Sequence, residues 1–159
     1  MKFQRWGVLK SSTLLAFLII LPFQLWASYD IENAYPEPEL KPNDVVRLQL
    51  LAMQQNDDSD FGIEVTFRFA SPANKKQTGP LKRFISLVRN PSYRPLLNHI
   101  NATFIELTVE EVFAVQDVII TTSNGERIGY RFRLSIQKGP LYPGCWMTDS
   151  VTPFKVLEV

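Results

Sequence analysis

Apolar residues recur along this chain with two periods, and the change comes near residue 100. Before it the spacing is three and four, as on one side of an α-helix; after it the spacing is two, as in a half-buried strand. Pro42–Gln55 predicts a first helix. Pro42 suits the first helical position, where its missing N–H would be unpaired anyway, and Asp44 favours the positive helix start. Val45, Leu48 and Ala52 line one side, with Val46, Leu50 and Met53 beside them and Arg47 and Gln54 opposite. An apolar arc that wide predicts cover on more than one side. The short polar residues Asn56 to Asp60 then stop the helix by competing for backbone hydrogen bonds.

Residues 61–70 fit both periods. Ile63, Val65, Phe67 and Phe69 alternate with Glu64, Thr66 and Arg68, and their β-branched content favours a strand. Yet Phe61, Val65 and Phe69 also recur at helical spacing, and Glu64 to Arg68 is a favourable i,i+4 pair. Ser71-Pro72-Ala73-Asn74 reads as the end of this element. Leu81, Phe84, Ile85 and Val88 then mark a helix, with Thr78 or Gly79 as cap, Pro80 at its first position and Asn90-Pro91 as its stop. From Asn101 the period is two. Ile105, Leu107 and Val109 alternate with Phe104, Glu106 and Thr108, Glu110-Glu111 marks a turn, and Val112–Thr122 is a second strand. Asn124-Gly125 accepts the positive φ of a hairpin turn. Arg127–Gln137 sends Ile128, Tyr130, Phe132, Leu134 and Ile136 one way and Arg127, Arg131 and Arg133 the other, as expected for an antiparallel sheet with helices on one side. Cys145–Val151 is the last strand.

The N-terminus adds a second theme. Lys2, Arg5 and Lys10 precede an uncharged stretch from Ser11 to Ser28 that ends with a small residue, Ala27. That is the pattern of a secretory signal peptide; an uncleaved membrane anchor is the alternative. Residues 1–27 are therefore expected to be targeting sequence, 28–40 a Pro-marked acidic linker, and 41–159 one domain in an exported (periplasmic, lumenal or extracellular) or membrane-tethered protein. Residues 1–27 hold three Lys/Arg and no Asp/Glu, so the formal charge falls from +1 for the whole chain to −2 without them. A near-neutral body has no electrostatic footprint for nucleic acid. One cysteine (Cys145) excludes an intrachain disulfide, and with one histidine (His99) it argues against a protein-only zinc site. No phosphate loop, nucleophile elbow or Cys-x-x-Cys occurs, and no cofactor is implied.

The strings PNDVVRLQLLAMQQND, FRFASPANK, GPLKRFISLVRNPSYRPLL and GYRFRLSIQ…GCWMTDSV, from Pro42 to about Val151, together resemble the family known as domain of unknown function 4864. The resemblance implies an α+β cone-shaped fold like that of nuclear transport factor 2-like and SnoaL-like proteins: three helices packed into the concave face of a curved antiparallel sheet. It also implies that Ile63–Ala70 is helical despite its alternation, and that a homodimer can form through the sheet face. It transfers no catalytic residue.

A cone holds a pocket between helices and sheet, a default ligand site. The polar groups expected near it are Tyr93 and Arg94 after the last helix, His99 and Tyr130. The bland reading of each is structural: Tyr130 a core tyrosine with a paired hydroxyl, Tyr93 and Arg94 a loop anchor, His99 a turn histidine. Cys145 reads as inert packing beside Trp146. Arg127, Arg131 and Arg133 read as a solvated face, or as the face of an anionic partner or dimer. Asn101-Ala102-Thr103 matches the N-glycosylation pattern. These residues point to a module binding a small apolar ligand or a protein. The alternative is a pocket enzyme of isomerase or dehydratase type, with His99, Tyr130 or Tyr93 moving a proton and Asp117 or Glu106 orienting the histidine.

Overall fold

A computed structural model describes residues 30–156. The expected signal or anchor, residues 1–27, lies outside them; among the described residues no helix is long and apolar enough to cross a membrane. Four helices come first: α1 (Pro42–Gln54), α2 (Phe61–Arg68), α3 (Pro72–Thr78) and α4 (Leu81–Val88). After a 3-10 turn at Arg94–Leu96 come four strands: β1 (Asn101–Glu110), β2 (Phe113–Thr121), β3 (Arg127–Ile136) and β4 (Trp146–Lys155). They form one antiparallel sheet in the order β1-β2-β3-β4. The fold is thus α+β, with the helices packed against the sheet.

The core lies between these layers. Val45, Val46, Ile63, Val65 and Phe69 from the helices meet Val118, Ile120, Tyr130, Phe132 and Leu134 from the sheet, all buried. Segment 28–40, described from Asp30 onward, lies against this body: Ala34 joins the core, and Arg68 Nη1 donates to the Glu32 carbonyl at 3.0 Å.

Residues 61–68 are helical, so the alternation there gives way to packing. Side chains from the preceding loop cap the helix start: Asn56 Oδ1 accepts from the Ile63 amide at 3.1 Å and Asp57 Oδ1 from the Phe61 amide at 3.4 Å. Glu64 and Arg68 pair at 3.1 Å across one turn. Gly62 lets the α2 backbone approach that of α1, because a Cβ there would stand 2.8 Å from the Ala52 carbonyl carbon.

Two expectations change. Ser71-Pro72-Ala73-Asn74 does not merely end α2; it starts α3, a fourth helix. Ser71 Oγ accepts from the Asn74 amide at 3.2 Å as N-cap, with Pro72 in the first turn. The second concerns β1. Ala102 pairs with Ile120 and Phe104 with Val118, but Leu107 pairs with Gln116 and Val109 with Ala114. A bulge between Phe104 and Leu107 therefore shifts the alternation by one residue. Ala102 and Phe104 pack on the core, whereas Ile105, Leu107 and Val109 are exposed.

Candidate functional site

A cavity of about 270 Å³ lies between the helices and the β4 side of the sheet. Its apolar wall comes from Leu50 and Met53 on α1, Phe84, Leu87 and Val88 on α4, and Phe132 on β3. Phe84, Val88 and Phe132 fall on the inward stripes that the periods of α4 and β3 dictate, and Leu50 and Met53 lie beside that of α1. The polar wall is a network joining α1, α2, α3 and β4. Gln49 Nε2 donates to the Thr66 carbonyl at 3.1 Å, and Thr148 Oγ1 donates to Gln49 Oε1 at 2.7 Å. Asn74 Nδ2 donates to the Thr148 carbonyl at 3.0 Å. Gln49, Thr66 and Thr148 are buried, so each bond is made away from water. No buried side-chain nitrogen or oxygen among the described residues lacks a partner.

Thr148 is held by backbone as well. It forms an isolated parallel bridge to Ala70, with its amide donating to Phe69 O and its carbonyl accepting from the Ser71 amide, both at 2.9 Å. The chain between α2 and α3 thus lies along β4. Just beyond, the β3–β4 register shifts, with Thr148 opposite Leu134 and Ser150 opposite Arg133. Asp149, at that bulge, lines the cavity with Ser150 and Thr152.

The four residues expected near a pocket lie in different places. Tyr93 lines the cavity, and its hydroxyl donates to the Val151 carbonyl at 3.1 Å. Tyr130 is buried behind it and donates to the Ser92 carbonyl at 2.9 Å. Burial, helped by the negative charge of Glu126, pushes the Tyr130 hydroxyl pKa far up, so it stays protonated. Arg94 is exposed and borders two polar hollows that it shares with Arg89 and Asn98, away from the cavity. His99 borders an open groove with Arg47, Gln54 and Phe104.

His99 is buried, and its Nδ1 lies 2.8 Å from the Leu96 carbonyl. A carbonyl only accepts, so Nδ1 carries the proton and the neutral ring has Nε2 bare. Burial lowers its pKa, opposed by the Leu96 bond. The unfolded chain therefore takes up the proton first. Stability from this group is complete above about pH 6.5 and falls as the pH drops below it. The urea midpoint is expected to fall between pH 7.5 and 5.0, and to fall less in His99→Gln; an equal fall in both would show that His99 does not titrate with folding.

The carboxylates named as partners for His99 do not join it. Asp117 binds Arg131 on the outer sheet face through two hydrogen bonds of 2.8 and 2.6 Å, and the charge of Glu106 acts on the same guanidinium. That pairing also offsets the basic stripe, leaving Arg127 and Arg133 exposed beside it. Cys145 is buried, and burial first, then the charges of Glu39 and Glu37, raise its thiol pKa. Asn101 is exposed on β1, with Nδ2 donating to Thr103 Oγ1 at 3.1 Å.

Gln49, Asn74 and Thr148 are wall residues that the sequence patterns do not single out. Gln49 sits in the middle of the apolar arc of α1, and a polar residue in such a run is the available signal. Among the described residues no group of three His, Cys, Asp or Glu side chains is placed to hold a metal ion. Residues 37–155 match the model of a family described as domain of unknown function (DUF4864). No curated protein and no solved structure matches the chain.

Proposed function

We propose that this chain, which belongs to the domain of unknown function (DUF4864) family, binds a small, largely apolar molecule in the cavity between its helices and β4. The cavity carries the proposal: about 270 Å³, walled by Leu50, Met53, Phe84, Leu87 and Phe132, and backed by a satisfied polar network. Small-molecule sites have this composition and start at roughly 300 Å³, so the occupant is small. Binding is favoured over turnover by the position of His99, which borders a different groove from Tyr93 and from the cavity. The cone-shaped nuclear transport factor 2-like fold goes with this reading. It is supported by helices gathered on an antiparallel sheet with a hollow between them.

Calorimetric titration with octan-1-ol tests the proposal. The wild type is expected to bind one equivalent. Leu87→Trp, which fills the cavity from α4, is expected to weaken binding at least about ten-fold, or about 1.4 kcal/mol, with an unchanged circular dichroism spectrum. Absence of saturable binding to the wild type, or equal binding to the variant, would refute it.

A further inference from the structure

The wall of the cavity includes a backbone donor that the protein leaves without an acceptor. In an antiparallel strand the N–H and C=O of one residue turn to the same side, and the side reverses at each step. On β3, Tyr130, Phe132 and Leu134 stand two residues apart, so their β4 partners Pro153, Val151 and Thr148 turn the same way in spite of the bulge. Thr148 fixes that direction. Its amide donates to the Phe69 carbonyl and its carbonyl accepts from the Ser71 amide, so both groups face away from β3. Pro153 agrees, because a residue without an N–H fits where no ladder bond is lost. The Val151 carbonyl agrees as well, since it accepts from the Tyr93 hydroxyl at 3.1 Å. The Val151 N–H therefore points off the edge of the sheet. Among the described residues no carbonyl or side chain beyond the β3 ladder accepts from it. Val151 lines the cavity and is half-buried.

An edge N–H is ordinarily satisfied by water. A ligand that covers Val151 strips that water, and an orphaned buried N–H costs more than a made hydrogen bond returns. An oxygen acceptor on the ligand removes the penalty, whereas an apolar head of the same shape leaves it in place. Gln77, also on the wall, is exposed and can turn its amide to solvent; the Val151 N–H is fixed by its strand and cannot. No lysine, arginine or histidine lines the cavity, so nothing there compensates a charged acceptor. We propose that the occupant carries a neutral oxygen acceptor, such as a ketone or ester carbonyl, bound at the Val151 N–H, with its apolar body against Leu50, Met53 and Phe132. This rests on the cavity being the binding site, as inferred above.

Cyclohexanone and methylenecyclohexane share a shape and differ in the acceptor, so together they separate the two ideas. Each is titrated into the isotope-labelled full chain and followed by NMR. The methyl signals of Leu50, Met53 and Leu87 report filling of the cavity, and the Val151 amide reports the hydrogen bond. Both probes are expected to move the methyl signals, and cyclohexanone alone to move the Val151 amide proton downfield. Val151→Pro removes the donor at a position of the kind that Pro153 already occupies. It is expected to weaken cyclohexanone about five-fold, the worth of one hydrogen bond, and to change methylenecyclohexane far less. The amide is read in the wild type, so the test stands even if that variant fails to fold. A Val151 amide that responds alike to both probes, or an equal loss of both in a folded Val151→Pro, overturns the acceptor assignment and leaves the cavity reading standing. Methyl signals unmoved by either probe overturn both.

Discussion

Replacing Gly62 by alanine is expected to destabilise the protein by about 2–3 kcal/mol, although alanine is the better helix former. Propensity alone predicts a gain of about 1 kcal/mol for Gly→Ala in a helix interior. The opposing effect is steric. An added Cβ would press into the Ala52 carbonyl oxygen of α1, stand 2.8 Å from its carbon, and lie 3.0 Å from the Asn56 Cα. These are backbone atoms, so no side-chain rotamer can relieve the clash; α1 and α2 must separate. Overpacking costs of about 1–3 kcal/mol, occasionally more, are typical even where side chains can move. Gly139→Ala is the control, since a Cβ there would meet nothing within 4 Å and no positive φ constrains the residue. It is expected to stay within about 0.5 kcal/mol of the wild type. Urea unfolding checks both, and a Gly62→Ala midpoint equal to that of wild type would mean the two helices do not cross this closely.

Gln49→Leu is the second large effect. The replacement keeps size and helix propensity and removes two buried bonds at once. The Thr66 carbonyl loses its side-chain donor and the Thr148 hydroxyl its acceptor. The Thr66 carbonyl still accepts from the Phe69 amide at 3.2 Å, so the orphaned buried group is the Thr148 hydroxyl, and a loss of about 1–3 kcal/mol is expected. Thr148→Val separates this cause from packing. In the wild type it leaves Gln49 Oε1 unpaired and destabilises; in the Gln49→Leu background it removes an orphan and is expected to be neutral or stabilising. Strictly additive effects in that cycle would show that the two side chains are not coupled.

Much of the architecture is legible in the sequence because most elements repeat their period without conflict. Leu81, Phe84, Ile85 and Val88 fit only one side of a helix, and Ile128 to Ile136 only one face of a strand. Where pattern and structure part, a single residue or a distant contact decides. The alternation of residues 61–69 is real, but Gly62 and the Asn56 and Asp57 caps fix a helix there, and these act through α1 and its loop. Ser71-Pro72 carries the same Pro-start signal as Pro42, but it directly follows α2, where a proline also reads as a stop. The β1 bulge leaves no mark in the composition of Ile105-Glu106, so period counting alone keeps the strand in a single register from end to end. The candidate site is harder to read. The position of Tyr93 after α4 places it near the cavity, but Gln49, Asn74 and Asp149 are brought together by pairing between segments far apart in sequence. No local spacing encodes that pairing.

The two irregularities in the sheet have a consequence for how the molecule behaves in a crowd. An open β border is a template on which further chains can stack, and long, flat, apolar borders invite fibrils. β1 is interrupted by its bulge and carries Glu106 and Glu110 among its exposed apolar residues. At the opposite border, β4 is partly occupied by the bridge from Ala70 to Thr148, bent at Asp149, and deprived of one amide donor at Pro153. Neither margin offers an uninterrupted row of amides and carbonyls, so a sheet that ends in solvent on both sides is protected from runaway polymerisation.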